Sequence, residues 1–197
     1  MKQNLRLFWV ITFLLLNLSV MSGQKKLPSY VNYEKKYSNM AIRQMKKHKI
    51  PASITLAQGI LESGAGMSKL AQETNNHFGI KCTSGWTGAV FYRKVGNSTE
   101  CFRKYKKVEN SFEDHSLFLK RNRYAKLFKL NIRDYKAWAK GLQACGYATD
   151  KNYADKLIRI IYIYRLDKYD SSYQPKTKVY QKSGKPPVRP STQPRRK

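Results

Sequence analysis

The chain has 197 residues and sets 39 Lys or Arg against 12 Asp or Glu, a formal charge of +27. That length supports one domain of ordinary size with tails rather than two full domains. Hydrophobic residues make up 41% and aromatics 13%, enough to pack a core, so a wholly disordered basic protein is excluded. A charge this one-sided calls for an acidic counterpart: nucleic acid, an anionic membrane or an acidic wall polymer.

The N-terminus narrows that choice. Residues 1–23 read as an export signal: Lys2 and Arg6 give a positive start, and Leu7 to Leu18 is apolar except for Thr12 and Asn17. Small residues Ser22 and Gly23 then precede Gln24 as a cleavage point. The apolar run falls short of the ~20 residues of a spanning helix, so no stable membrane span is expected, although an uncleaved anchor stays open. Cysteine is absent around the cleavage point, which argues against a lipid anchor. The expectation is an exported protein of the periplasm, cell envelope or exterior, with no nucleic-acid partner.

Residues 24–32 read as a polar lead-in and 33–170 as the folded domain. The spacing predicts a helix from Tyr33 to Lys49, with Met40, Ile42 and Met45 apolar, halted before Pro51. A second runs from Ser53 to Ser63, where Ile54, Ala57 and Leu61 form a stripe widened by Leu56 and Ile60, and Gly64 and Gly66 stop it. Trp86 to Tyr92 and Thr99 to Tyr105 are rich in aromatic and β-branched residues around Gly96-Asn97 and predict a hairpin. Ser111 with Asp114 reads as a capping signature ahead of Phe112, Phe118 and Leu119. Asp134 to Cys145 and Tyr153 to Leu166 complete the helices. The tail, 171–197, holds five of the seven prolines and eight Lys or Arg without an acid, a composition that predicts disorder. The fold class is α+β, mainly α.

Three cysteines are present. Cys82 and Cys101 bracket the hairpin, and in an oxidising compartment closing that loop stabilises by ~3 kcal/mol. Cys145 falls in a helical pattern and reads as a small buried apolar residue. A rival reading joins His77, Cys82, Cys101 and His115 as metal ligands, but their spacing matches no paired-ligand signature.

With 12 acids, each can be weighed. Glu109, Glu113, Asp114 and Asp134 suit helix starts, and Asp150 suits the start of the last helix. Glu62 closes an apolar helix, where the negative end of the dipole and apolar neighbours raise a carboxyl pKa. A carboxylic acid still protonated near neutral pH is what a glycosidase needs for its leaving oxygen. The plain alternative is an exposed helix-end glutamate without a role. Glu100 lies on the second strand, on the face of Phe102, as either a second carboxylate or a solvent-facing residue.

The run Leu56-Ala57-Gln58-Gly59-Ile60-Leu61-Glu62-Ser63-Gly64-Ala65-Gly66 resembles the catalytic helix of bacterial cell-wall N-acetylglucosaminidases, the group of many autolysins and the flagellar rod-assembly hydrolase. Asn76-His77-Phe78-Gly79-Ile80-Lys81 followed by Trp86, then Phe102-Arg103-Lys104-Tyr105, Ser111 with Asp114, and Gly146-Tyr147-Ala148-Thr149-Asp150 with Tyr153-Ala154 are similar to its later blocks, in the same order. The likeness runs from about Tyr33 to Asp170. It implies a lysozyme-like fold, a helical lobe and a small β lobe across a glycan cleft. It implies hydrolysis of the β-1,4 bond between N-acetylglucosamine and N-acetylmuramic acid in peptidoglycan, with Glu62 as general acid and Tyr147 supporting it. Asn76 and Phe78 shape the cleft floor on that likeness, and Trp86, Tyr147 and Tyr153 line it. Some members carry a second carboxylate in a longer hairpin. Here counting from Trp86 reaches Asn97, and Glu100 is the one acid of this hairpin, so Glu100 is the candidate. Without it, the sugar's acetamido group serves as nucleophile.

No cofactor is implied, since water and carboxylates suffice. Between signal and tail, 29 Lys or Arg face 12 acids, a formal +17, a field suited to an anionic envelope. Two rival classes remain: a peptidoglycan-binding protein of the same fold with weak or no catalysis, and an exported basic protein that binds nucleic acid or lipopolysaccharide.

Overall fold

A computed structural model describes residues 26–173; the export-signal segment and residues 174–197 of the basic tail lie outside the described residues. Helix α1 spans Pro28–His48 and so starts inside the expected lead-in. Proline suits the first helical position because its missing N–H would go unused there. The early turns are held by tertiary contacts that periodicity does not register: Leu27 N–H donates to Tyr164 Oη at 2.9 Å, and the Tyr30 and Tyr164 rings lie 5.3 Å apart. Lys46, Lys47 and His48 occupy its last turn, where positive charge complements the dipole.

Helix α2, Ala52–Ser63, is the centre of the molecule. Ile54, Leu56, Ala57 and Ile60 are fully buried, so the helix is apolar nearly all round, as an internal helix must be. Helix α1, α5 (Tyr135–Ala144), α6 (Tyr153–Tyr164) and a 3₁₀ segment at Leu166–Ser172 pack around it. Gly59 lets α1 approach: a Cβ there would stand 2.3 Å from Tyr33 Oη. The N-terminus of α2 is held by Asp170, whose carboxylate accepts from Ser53 N–H at 2.9 Å and Ser53 Oγ at 2.6 Å.

The short helix α3, Lys69–Thr74, leads to the small lobe. Strands β1, Val90–Val95, and β2, Ser98–Arg103, pair antiparallel about Gly96-Asn97, with Tyr92 opposite Cys101 and Arg93 opposite Glu100. The first strand therefore lies later than its aromatic content predicts. Trp86 sits in the preceding loop, its indole N–H donating to Ala89 O at 3.1 Å, while exposed Arg93 and Lys94 occupy the strand. A bridge between Lys81 and Phe102 adds the loop to the outer side of β2, and the Cys82–Cys101 disulfide is formed beside it. The bonded sulfurs take the rival metal-ligand set apart.

Helix α4 spans Val108–Leu119, so Ser111 is an interior residue and not its cap. Ser111 Oγ accepts from His77 N–H at 3.1 Å, and Asp114 turns away to Arg103. A capping pattern had the right letters because those side chains serve tertiary partners. A 3₁₀ segment, Asn122–Lys129, then leads to α5, which Asp134 does cap through Ala137 N–H at 2.9 Å. Trp138 is 1% exposed and belongs to the core, as does the free Cys145. Among the described residues no helix is long and apolar enough to cross a membrane.

Asn76 ties the loop that follows α3 to strand β2. Its Nδ2 donates to Ile80 O and Arg103 O, both at 2.9 Å, and its Oδ1 accepts from Ile80 N–H at 3.0 Å. Asn76→Ala orphans these buried groups and is expected to lower the unfolding free energy by about 3 kcal/mol in urea denaturation, with a loss below 1 kcal/mol speaking against this anchor.

Candidate active site

Glu62 sits in the last turn of α2, which Gly64 closes with a left-handed φ of 57°. The carboxyl is half-buried and lines a cavity of about 470 Å³ with Phe78, Lys81, Thr83, Tyr147 and Thr149 among its other walls. Burial raises its pKa, and a hydrogen bond from Tyr153 Oη to Oε1 at 3.0 Å offsets part of that rise. Tyr147 stacks on Tyr153 with ring centres 5.5 Å apart. Burial, then the nearby Glu62 charge, pushes the Tyr147 phenol well above its ordinary range, so it stays a neutral hydroxyl. The turn that presents Tyr147 is set by Arg123, which donates from Nε and Nη2 to Cys145 O at 3.1 and 2.7 Å. Gly146 takes φ 68° there, and a Cβ would stand 2.9 Å from Arg123 Nη2.

Behind the cavity wall runs a second tier whose linkage the sequence did not reveal. Tyr153 Oη accepts from Gln58 Nε2 at 3.0 Å, and Gln58 Oε1 lies 3.1 Å from His115 Nε2. His115 stacks on Phe78 with centres 3.9 Å apart. Burial lowers the His115 pKa to about 3, so the ring is neutral. Gln58 and Glu62 share a helix face at i, i+4, a signal present in the sequence; His115 had none.

The remaining candidates fall into place as follows. Glu62, Phe78 and Tyr147 line the cavity, and Tyr153 holds Glu62 from beneath. Asn76 is 1% exposed and shapes the loop through its three hydrogen bonds. Glu100 is outside this lining; its Oε2 holds Lys81 Nζ at 2.9 Å, and Lys81 is on the wall. Trp86 borders a separate cavity with Tyr105 and Leu117. The Arg103 guanidinium lies 4.5 Å from the Trp86 ring centre and Gly88 packs against the same ring, so Trp86 braces the loop. His77 Nδ1 bonds to Tyr33 Oη at 2.9 Å, inside the core.

The small lobe is clamped by Arg103. Its Nη1 donates to both oxygens of Asp114 at 3.0 and 2.9 Å, its Nη2 to Thr83 Oγ1 at 3.0 Å and its Nε to Lys81 O at 3.2 Å. Tyr105 Oη donates to the same carboxylate at 2.5 Å. With Nη1 on the Asp114 carboxylate, Nη2 on Thr83 and Nε on Lys81 O, the guanidinium is fixed in orientation as well as position. The loop carrying Phe78 and Lys81 is thus held to α4 and β2.

A mainly helical lobe and one antiparallel hairpin, with a glutamate at the end of a buried helix facing a cleft, make up a lysozyme-like fold. The family described as Glucosaminidase, mannosyl-glycoprotein endo-beta-N-acetylglucosaminidase, matches residues 38–166, and the chain belongs to it. It is 42% identical over 135 residues to the exo-glucosaminidase LytG of Bacillus subtilis, across 64% of this chain and 48% of the relative. The catalytic domain of the autolysin Auto from Listeria monocytogenes superposes with a TM-score of 0.62 at 27% identity, covering 78% of this chain and 94% of that one. A peptidoglycan hydrolase from Sphingomonas sp. A1 gives 0.61 at 30% identity, covering 74% and 98%. The chain spans about half the length of the curated relatives it matches.

A carboxyl whose folded pKa is raised favours the fold in its neutral form. That contribution is complete below the unfolded value of 4.5 and is lost as pH rises through the folded pKa. Glu62→Gln keeps the neutral form at every pH. The variant is expected to melt above the parent at pH 8, with the gap closing below pH 4.5. A variant that melts lower at pH 8 contradicts the buried-acid reading.

Proposed function

We propose that the protein hydrolyses the β-1,4 bond between N-acetylglucosamine and N-acetylmuramic acid in peptidoglycan, with Glu62 as general acid. The observation that carries this is a half-buried carboxyl of raised pKa on the wall of a cavity wide enough for a sugar, with neutral tyrosines as its partners. Protonated Glu62 gives its proton to the glycosidic oxygen as the C1–O bond breaks. Water completes the reaction at C1, and its proton returns the acid. Tyr147 and Phe78 offer ring surface to the apolar faces of the sugar, and the Tyr147 hydroxyl adds a hydrogen bond.

The position of Glu100, outside the cavity lining and paired with Lys81, supports a substrate-assisted mechanism. The acetamido oxygen of the N-acetylglucosamine closes on C1 as the bond breaks, and water then opens the resulting ring. Glu100 in this reading holds Lys81 on the cleft wall. The Bacillus relative is named an exo-glucosaminidase; we assign endo action to this chain, and early release of long soluble glycan fragments is the expected sign of it. Residues 1–23 are read as the export signal that brings the enzyme to its substrate. The basic surface supplies a non-specific hold on the anionic wall.

Digestion of purified peptidoglycan followed by borohydride reduction tests the bond assignment, with reduced N-acetylglucosamine expected at the new ends and reduced muramic acid contradicting it. Glu62→Gln is expected to lose at least about a thousandfold in kcat with its fold intact, and wild-type turnover in that variant defeats the assignment. Glu100→Gln is expected to stay within about tenfold of the parent; a several-hundredfold loss would instead make Glu100 a direct catalytic partner. Sedimentation with insoluble peptidoglycan is expected to weaken between 50 and 500 mM salt, roughly the range over which surface charges become screened.

A further inference from the structure

We propose that His115, Gln58 and Tyr153 are positioning residues that form a one-way hydrogen-bond relay, which fixes Oε1 of Glu62 and leaves its acidic proton on Oε2. This rests on Glu62 as the general acid and adds three residues to that reading. The direction follows from the far end. His115 is buried and neutral, so one ring nitrogen carries the proton, and Nδ1 has no hydrogen-bond partner. A buried N–H without an acceptor is the costlier orphan, so the proton belongs on Nε2, which donates to Gln58 Oε1 at 3.1 Å. The amide of Gln58 is then oriented, and its Nε2 donates to Tyr153 Oη at 3.0 Å. With its oxygen already accepting, Tyr153 turns its own O–H toward Glu62 Oε1, 3.0 Å away.

The three members come from different helices. His115 belongs to α4, Gln58 to α2 one turn before Glu62, and Tyr153 opens α6. A shift of any of these helices breaks a link, so the relay reads the assembly of the domain at the acid itself. The donor from Tyr153 serves both charge states: it stabilises the carboxylate, and it meets the carbonyl oxygen of the protonated acid. The ionisable groups around Glu62 are Tyr153 from α6, Tyr147 from the preceding turn and Lys81 across the cavity, with His115 of α4 behind them. Tyr153 and Tyr147 are kept neutral by burial, and His115 is uncharged, so hydrogen bonding and not charge is what the relay delivers.

The test uses the full chain and compares Tyr153→Phe, Gln58→Met and His115→Phe, the last keeping a ring against Phe78. Rates on peptidoglycan are followed against pH, and the Glu62 carboxyl is titrated by ¹³C NMR without substrate. Tyr153→Phe is expected to move the alkaline limb and the carboxyl titration upward by about one pH unit, the worth of one hydrogen bond. Gln58→Met and His115→Phe are expected to move both the same way by less, since Tyr153 is then free to turn its hydroxyl elsewhere, with KM held within about twofold. Lowered kcat with unmoved titrations in all three would reduce these residues to packing and overturn the relay. Glu62→Gln separates the two ideas: if it is inactive while the titrations stay fixed, the relay alone falls. If Glu62→Gln is active, the general-acid reading falls, and the NMR titration still judges the relay by the same shift.

Discussion

Withholding a carboxyl from water at the end of an apolar helix is the constraint on which the domain depends. Burial raises the Glu62 pKa because α2 is packed on nearly every side, and α2 can be packed that way only if both its ends are secured. Asp170 secures one end by answering the free N–H of Ser53 from 117 residues away. Gly64 secures the other by taking a conformation that lets the chain leave at once. Between them Gly59 gives α1 the room to close against the helix. The chemistry at one residue is thus a consequence of packing along eleven others.

The opposite wall of the cleft is built by different means. It is a two-stranded hairpin and a loop, too small to hold itself by burial. Cross-linking replaces the missing core: the Cys82–Cys101 disulfide, the Arg103–Asp114 pair and the hydrogen bonds of Asn76 all converge on residues 76–83. A disulfide in such a place suits an oxidising compartment. Phe78 and Lys81 reach the cavity from this braced loop, so its stiffness bears directly on the shape of the cleft.

Local signals were legible, and distant ones were not. The stripe of α2 and its glycine stop, the Gly96-Asn97 turn and the Asp134 cap depend on neighbours in sequence, and they stand where their patterns place them. The start of α1 depends on Tyr164, far along the chain, so its polar letters looked like a lead-in. Ser111 and Asp114 matched a cap but answer His77 and Arg103. The same division holds in the site. Glu62 stood out because the helix dipole, its apolar neighbours and the glycines after it are all local, and its proposed role came from the resemblance. Trp86 was assigned to the cleft by resemblance, while its ring packs against Arg103 and Gly88 beside another cavity. Gln58 carried a helix-face signal that went unused, and His115 became meaningful only once α4 was laid against α2.

Charge explains why the buried acid needs so much apparatus. In a chain of +27 most carboxylates meet a cation. Among the described residues Lys168 holds Glu34, Lys47 holds Glu113, Arg103 holds Asp114 and Lys156 holds Asp150. A cation beside a carboxyl as a rule favours the ionised form, the opposite of what a general acid requires. At Glu62 burial raises the pKa, the immediate hydrogen-bond partner is a neutral phenol, and Lys81, the cation across the cavity, is paired with Glu100. Neutral groups can orient a carboxyl without taking its proton, whereas a lysine in the place of Tyr153 would favour the ionised form. On the proposed reading the acid of a strongly basic chain is held apart from the surface cations, and the packing of α2 with its neutral hydrogen-bond partners does the holding.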